Sequence, residues 1–273
     1  KYLSTAKSPQ QMFGAAMKTY FAQKLGVSPE KIFSVSVMPC TAKKAECEME
    51  LFYEEYAGHD VDVVITTREL VKMIRSAHIR PETLKDIESD RPMQEGTGAG
   101  VIFGATGGVM EAALRTAYSI IKKENPPADA FKDVRSKGFN DNHGVQEADF
   151  MVDDIKVRTA VVSGLGNTRA LLKKIESGEA QYDFVEVMAC PGGCVGGGGQ
   201  PIHDGEELAF ERGKNLYDLD DNMKIRHSHE NPDIQKMYEE YFEKPVSHKA
   251  HLLLHTDHLD SMSKYGTGYT KIK

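Results

Sequence analysis

Apolar residues follow two different spacings along this chain. Short continuous or alternating apolar runs, which are typical of strands, are separated by longer segments in which apolar residues recur at helical spacing. The runs predict strands over 31–40, 61–67, 156–167 and 182–190. The longer segments predict helices over 10–26, 41–57, 68–78, 109–125 and 168–179.

This alternation of strand and helix predicts an α/β fold. Because strands followed by helices are typical of parallel sheets, we expect two lobes, each a mainly parallel sheet flanked by helices. The run VDVVITT at 61–67 is almost wholly apolar, which favours a strand buried on both faces. We expect the active site in the cleft between the lobes, because ligands of open α/β sheets bind at strand carboxyl ends.

Composition narrows the class of protein. The 273 residues are 40% apolar and 27% charged, which is typical of a globular chain and excludes a disordered tail. No apolar run approaches the roughly 18 to 20 residues that a membrane helix needs, so we expect no membrane span. The 34 basic and 41 acidic residues give a net charge of −7, which argues against nucleic acid as a partner.

The four cysteines are too few for a small disulfide-stabilised scaffold, and they favour metal binding or catalysis instead. Cys40 and Cys190 each end a predicted strand, and Cys194 follows within the glycine-rich segment PGGCVGGGGQP. Soft thiolates bind iron well, and glycines let the backbone approach a large inorganic ligand. The C-x3-C spacing suits an iron–sulfur cluster better than zinc, although these cysteines could also be small buried residues.

Other motifs carry weaker signals. The segment GATGG at 104–108 precedes a predicted helix and could hold a phosphate, but close packing explains its glycines equally well. Histidines 248, 251, 255 and 258 have helical spacing that could bind a metal. No cysteine or carboxylate accompanies them, so we favour a partly exposed helix.

Two long strings resemble a known family. VMPCTAKKAE at 37–46 and FVEVMACPGGCVGGGGQP at 184–201 are similar to the second and third cysteine signatures of the FeFe-hydrogenase (iron-only hydrogenase) catalytic domain. The resemblance extends over nearly the whole chain. It includes LSTAKSPQQMFG, VDVVITTREL, GTGAGVIFGATGGVMEAALRTAY and HSHENPDIQKMYEEYFEKP.

The resemblance implies a cofactor, the H-cluster, in which a 4Fe4S cubane is joined to a di-iron subsite bearing CO, cyanide and a bridging dithiolate. Cys40 and Cys190 would be cubane ligands, and Cys194 would bind the cubane and bridge to the di-iron subsite. Lys43 would place its ammonium on a cyanide, where a point charge suits an anionic ligand. Taken alone, Lys43 could equally be a solvated helix charge.

The resemblance also implies residues that line this cofactor. They are Ser8, Pro9, Gln10, Met38, Thr41, Phe103, Gly104 and Met188. Ser4 matches a hydroxyl of the family's proton relay, since one hydroxyl both donates and accepts. Without the cysteine motifs, the two methionines would be core residues and Ser4 would be a cap or a surface hydroxyl.

One family signature is missing from the sequence. A Thr-Ser-Cys-Cys-Pro-like string, which supplies the fourth cubane ligand and a proton-relay thiol, is expected shortly before Ser4. We therefore expect an incomplete N-terminal lobe with uncovered apolar surface, and a chain that alone neither holds a complete H-cluster nor turns over H2. Hydrogen evolution by the isolated chain would contradict this. Cys47 lies about two turns beyond Cys40 on a predicted helix, and we interpret it as structural.

The implied function is reversible reduction of protons to H2 by an enzyme of anaerobic hydrogen metabolism, with residues 1–273 as the catalytic domain and 206–258 as a small-subunit-like helical tail. Implied partners are ferredoxin or a fused ferredoxin-like domain, and hydrogenase maturation proteins. The implied location is the cytoplasm, with the periplasm as an alternative. Other hypotheses are a non-catalytic iron–sulfur protein of cluster assembly, an H2 sensor, or a fragment without a cluster.

Overall fold

The computed structural model describes residues 3–55, 57–88, 90, 93, 95–135 and 144–256. The chain divides into two compact units. The first unit contains residues 1–38, 42–65 and 236–273, and the second contains residues 39–41 and 66–235.

Helices and strands are both present, so the predicted α/β class is confirmed. None of the helices in the described part of the chain is long and apolar enough to cross a membrane. The helices are α1 (Pro9–Ala16), α2 (Ala22–Leu25), α3 (Ala42–Cys47), α4 (Thr67–Ser76), α5 (Gly98–Val101), α6 (Gly108–Lys122), α7 (Leu165–Glu176), α8 (Ala209–Asn222), α9 (Pro232–Met237) and α10 (His248–Leu254).

The strands form three small sheets in the described residues, and these sheets contain both antiparallel and parallel pairs. The pair β1–β4 forms one sheet, β2–β3 is an antiparallel pair, and β5–β6–β7 is mixed. In the mixed sheet, β5 pairs antiparallel with β6, and β6 pairs parallel with β7. The strands are β1 (Val35–Met38), β2 (Tyr53–Glu54), β3 (Gly58–His59), β4 (Val63–Thr66), β5 (Val145–Val152), β6 (Ile155–Ser163) and β7 (Phe184–Met188).

The three-stranded sheet carries the core of the second unit. Successive residues of a strand point to opposite faces. On one face, Val161 of β6 packs with Met110 and Leu114 of α6. On the other face, Ala160 and Val162 pack with Leu171 of α7, so helices cover both faces of this sheet.

The first helical prediction, over 10–26, is confirmed in extent but not in regularity. Between α1 and α2, residues Met17–Phe21 form a π-helical segment. Gly26 ends the run in the left-handed region, with a φ of 66°. This is the usual C-terminal conformation for glycine, because glycine has no Cβ to crowd the following carbonyl oxygen.

The helix predicted over 41–57 is wrong beyond Cys47. After α3 the chain makes a short 3-10 turn and then the hairpin of β2 and β3. The ammonium of Lys18, a fully buried side chain, donates to the carbonyl oxygens of Ala57 and His59 and to the carboxylate of Asp62. Because these partners lie about 40 residues from Lys18 in sequence, local periodicity gives no sign of this turn.

The strands of the first unit are shorter and less buried than predicted. In β4, Val63 is 36% exposed while Val64 is 2% exposed, so the expected burial on both faces is wrong within this unit. Val35 and Val37 of β1 are also exposed. The first unit therefore presents an apolar face on this two-stranded sheet.

Candidate functional site

Three of the four cysteines lie in the second unit at the ends of strands or in the loop that follows. Cys40 comes two residues after β1, Cys190 comes two residues after β7, and Cys194 begins a short 3-10 turn. None of the three forms a disulfide; Cys40 and Cys190 are half-buried and Cys194 is exposed. Their placement agrees with the prediction that strand ends deliver them.

The glycine-rich loop after Cys194 lies directly against the backbone beside Cys40. Gly199 N–H donates to the carbonyl oxygen of Pro39 at 3.0 Å. A Cβ atom on Gly199 would lie 2.8 Å from the backbone nitrogen of Cys40, and one on Gly197 would collide with the Pro39 carbonyl. Only glycine permits this approach, which brings two cysteine-bearing segments together across about 150 residues of sequence.

The same loop contacts the predicted cofactor-lining segment around Gly104. Thr106 N–H donates to the carbonyl of Gly192 at 3.2 Å. Gly193 has a φ of 98°, and a Cβ there would lie 2.7 Å from the Gly104 carbonyl oxygen. Phe103 and Gly104, both half-buried, therefore lie in the segment that packs on the loop between Cys190 and Cys194.

Two further side chains fix this loop, and the sequence did not single them out. Gly192 N–H donates to the hydroxyl oxygen of Ser163 at 3.0 Å, and that hydroxyl donates to the Cys190 carbonyl at 3.4 Å. Arg68 donates through Nε to the Gln200 carbonyl at 3.1 Å, and its guanidinium also reaches the Gly198 carbonyl. Arg68 stands in the string VDVVITTREL and Ser163 in the strand predicted over 156–167, but their partners are distant in sequence.

Cys40, Cys190 and Cys194 are the candidate ligands of the implied cubane. Within the described residues, no three Cys, His, Asp or Glu side chains converge as ligands of one metal ion. A cubane distributes its thiolates over separate iron atoms, so its ligands stand further apart than those of a single zinc ion. Cys40, Cys190 and Cys194 lie in or beside a loop whose close backbone approaches require glycine. Their three thiols fit three of the four ligands that a cubane needs.

A second set of predicted residues meets in the first unit around one carboxylate. Lys43 Nζ lies 2.7 Å from Glu46 Oε1. Glu46 Oε2 accepts hydrogen bonds from Ser8 Oγ at 3.0 Å and from Gln10 Nε2 at 2.7 Å. Glu46 was not among the predicted site residues, although its i+3 spacing from Lys43 on a predicted helix was a usable signal.

The remaining predicted residues have simpler surroundings. Pro9 is the first residue of α1, where proline needs no N–H partner. Ser4 is exposed, and its hydroxyl accepts from Ala6 N–H at 3.2 Å. Thr41 is exposed and lies in the second unit, where Met188 is buried.

Cys47 and Met38 belong to one buried cluster of the first unit, together with Val61 and Val64. The thiol of Cys47 is 6% exposed and donates to the Lys44 carbonyl at 3.1 Å. Burial raises the pKa of this thiol. These surroundings support a structural thiol and give Met38 core contacts in addition to its predicted role.

The N-terminus of α6 does not serve as a phosphate site in this structure, because a carboxylate occupies it. Glu186 accepts from Gly107 N–H and from Met110 N–H, each at 2.7 Å. Burial raises the pKa of Glu186, and the backbone donors oppose that rise. Gly107 and Gly108 pack closely against the backbone of Val134 and Ile102, which confirms close packing as their role.

The histidine-rich tail shows local contacts. The rings of His251 and His255 lie 4.9 Å apart, and His255 Nδ1 is 2.9 Å from the hydroxyl of Thr5. Burial and the neighbouring His251 lower the pKa of His255. His248 begins α10, and His258 lies outside the described residues.

Comparison with known proteins identifies the class. Residues 1–198 match the family described as iron only hydrogenase large subunit, C-terminal domain, and residues 206–261 match the iron hydrogenase small subunit. The chain belongs to the iron-only hydrogenase family. This confirms the resemblance found in the cysteine motifs.

Individual relatives are similar over most of this chain. It is 50% identical over 254 residues to NADP-reducing hydrogenase subunit HndD of Solidesulfovibrio fructosivorans, covering 93% of this chain and 42% of that protein. It is also 32% identical over 264 residues to cytosolic iron-sulfur assembly component 3 of Rattus norvegicus, covering 94% of this chain and 54% of that protein. The chain thus spans about half the length of the curated relatives it matches.

Solved structures agree with the fold. FeFe-hydrogenase HydA1 from Chlamydomonas reinhardtii matches with a TM-score of 0.78 and 39% sequence identity, over 93% of this chain and 70% of that chain. The α/β class and the hydrogenase and iron–sulfur character predicted from the sequence are therefore confirmed.

Proposed function

We propose that this chain is the catalytic part of an iron-only hydrogenase that interconverts H2 with protons and electrons. The observation that carries the proposal is the glycine-rich loop of residues 191–201, whose backbone packs on the Cys40 segment and on the Phe103–Gly104 segment. The similarity to proteins named as hydrogenases supports it.

In this proposal Cys40, Cys190 and Cys194 hold the cubane of the H-cluster, and Cys194 is also the bridge to the di-iron subsite. When bound, the H-cluster supplies redox-active iron that binds H2. The half-buried positions of Cys40 and Cys190 would limit water around their sulfurs, whereas exposed Cys194 can reach a second group. Ser163 and Arg68 donate to backbone carbonyl oxygens of the loop and its flanks, and these hydrogen bonds fix the backbone that carries Cys190 and Cys194.

The polar residues of the first unit have complementary roles in the proposal. Lys43 places its positive charge on a cyanide ligand, and Ser8, Pro9 and Gln10 surround the diatomic ligands. The Ser4 hydroxyl holds and passes a proton, since it both donates and accepts. The protein thus supplies orientation and a proton route, and the cofactor supplies the redox chemistry.

A second candidate function is iron–sulfur cluster assembly. The similarity to the assembly component of Rattus norvegicus over 94% of this chain supports it. An assembly protein requires a cluster held by thiolates, but it does not require residues that contact cyanide or CO. The two functions therefore differ in whether the di-iron subsite is present.

The partners follow from the proposed reaction. Electrons are exchanged with ferredoxin or with a fused ferredoxin-like domain, and maturation proteins insert the di-iron subsite. The proposed location is the cytoplasm.

The test uses the full-length protein, produced anaerobically with hydrogenase maturation proteins, and measures infrared bands of iron-bound CO and cyanide together with H2 evolution from a reduced electron donor. We expect both signals. Cys194→Ala should abolish them, while Cys47→Ala should keep the bands because Cys47 lies in a hydrophobic cluster. A protein that binds iron and sulfide but shows no CO or cyanide bands would favour cluster assembly, and equal behaviour of the two variants would contradict the assignment of Cys194.

A further inference from the structure

The carboxylate of Glu46 receives donors from three side chains on two separate segments. Lys43 stands one turn earlier on α3, while Ser8 and Gln10 stand at the start of α1, 38 and 36 residues away in sequence. Both carboxylate oxygens are engaged, Oε1 by the Lys43 ammonium and Oε2 by the two α1 donors. One acidic side chain thereby links three residues that the family resemblance assigned to cofactor binding.

The network continues beyond Glu46. Gln10 uses its Nε2 for Glu46, and its Oε1 accepts from the hydroxyl of Ser36 on β1 at 2.9 Å. Gln10 is buried, so both ends of its carboxamide are fixed and its orientation is determined. Ser8 precedes α1 at the N-cap position but does not cap the helix with its side chain; its hydroxyl donates to Glu46 instead.

These contacts differ from those of an ordinary surface ion pair. An exposed i, i+3 pair between lysine and glutamate leaves both side chains mobile and contributes little. Here the Glu46 side chain is only 21% exposed. Two neutral donors of another segment, Ser8 and Gln10, restrain its carboxylate in addition to Lys43. A fixed carboxylate restricts a long flexible side chain such as lysine to a few rotamers.

We propose that Glu46 is a positioning residue, which orients the Lys43 ammonium and the Gln10 carboxamide for the ligands of the di-iron subsite. This inference rests on the proposed function. An ammonium has three N–H donors, and the pair with Glu46 leaves donors for an anionic ligand. Glu46 acts through Lys43 and Gln10 and does not itself contact the cofactor in this proposal.

The test compares Glu46→Gln with Glu48→Gln in the full-length matured protein. The two substitutions remove the same charge two residues apart, and Glu48 is exposed just after α3. The readout is the infrared spectrum of the cyanide ligands. We expect Glu46→Gln to shift and broaden the cyanide bands in the same direction as Lys43→Ala, to lower H2 turnover by roughly ten- to a hundred-fold, and to leave iron content and melting temperature near wild type. Glu48→Gln should leave the spectrum unchanged.

Two further variants separate positioning from a general structural effect. Glu46→Asp keeps the charge with a shorter side chain, and it should restore part of the wild-type spectrum. Because Glu46 acts partly through Lys43, adding Glu46→Gln to Lys43→Ala should shift the cyanide bands less than Glu46→Gln does in the wild-type background.

Each result bears on a separate claim. Wild-type cyanide bands in Glu46→Gln would overturn the positioning role while leaving the proposed function intact, and so would a full additional shift in the double variant. If the wild-type protein itself shows no cyanide bands, both the proposed function and this inference are wrong.

Discussion

The side chain of Glu186 reaches from β7 to the first turn of α6, where its oxygens accept from Gly107 and Met110 N–H. These are backbone donors that an isolated helix leaves unpaired at its N-terminus. A sequence pattern shows Glu186 only as an acidic residue within an apolar run. Its partner is a helix about 75 residues earlier in the chain, so only the fold explains why a carboxylate is buried there.

At this residue we predict that Glu186→Gln destabilises the protein by about 1–3 kcal/mol. The amide presents N–H groups where the carboxylate presented an acceptor, so one buried backbone N–H loses its partner. Urea unfolding followed by far-UV circular dichroism measures the change, since the chain contains no tryptophan for fluorescence. The exposed Glu179→Gln is the control and should change stability by less than about 0.5 kcal/mol. Equal stability of both variants would contradict the buried role.

At the scale of elements, the loop of residues 191–201 does more than connect β7 to α8. Its glycines lie against Pro39, Cys40, Gly104 and Thr106, which belong to two different segments. Its glycine content predicts that another backbone segment lies close to it. The structure identifies those segments as the one at Pro39 and Cys40 and the one at Gly104 and Thr106. The loop thereby sets the relative positions of the cysteine-bearing segments of the second unit.

The loop offers a matched pair of substitutions. A Cβ on Gly199 would lie 2.8 Å from Cys40 N, whereas one on Gly198 would lie 3.6 Å from Thr41 Oγ1, an ordinary contact distance. We therefore predict that Gly199→Ala loses most of the iron bound after anaerobic reconstitution, because the backbone beside Cys40 must move. Gly198→Ala should keep it. Iron and sulfide analysis after desalting measures both, and equal retention would show that the close approach does not matter for the cluster.

At the scale of the whole molecule, a buried ion network holds helices of the second unit together. Arg115 of α6 pairs with Glu111 at 2.6 Å and with Asp220 of α8 at 2.7 Å, and Arg226 also pairs with Asp220 at 2.7 Å. Burial raises the pKa of Asp220, but hydrogen bonds from Arg115 and Arg226 outweigh it and hold this pKa below its ordinary value of 3.8. Asp220 is fully buried, so water cannot replace its carboxylate as the partner of the Arg115 and Arg226 charges.

Removing the charge of Asp220 should therefore be costly at neutral pH. We predict that Asp220→Asn lowers the free energy of unfolding by about 3 kcal/mol, because buried arginine charge loses a partner. A depressed folded-state pKa gives stability that is present above the unfolded value and lost as pH falls through the folded one. The difference in the free energy of unfolding between Asp220→Asn and wild type should thus become smaller below about pH 4. Asp218→Asn on the exposed face of α8 is the control, and a pH-independent difference would contradict the linkage.

Prediction from sequence succeeded where the signal is local. The strands around β6 and β7, the helices α4, α6 and α7, and the placement of Cys40 and Cys190 after strands all follow from periodicity and residue type. The cysteine motifs also indicated the hydrogenase family, because their residues are contiguous and the string is long. Side-chain period and local backbone preference act within a few residues, so the sequence displays them directly.

Other features were decided by tertiary contacts. The strand β5 was not predicted, and α3 ends early because buried Lys18 stabilises the hairpin that follows. Glu46 meets Ser8 and Gln10, and the glycine loop meets Cys40, across separations of tens to more than a hundred residues. Residue types and spacing by themselves indicated the family, most of the local elements and the thiols that we propose as cluster ligands. Which polar groups satisfy one another when buried was decided by the tertiary structure, because those partners are adjacent only after the chain has folded.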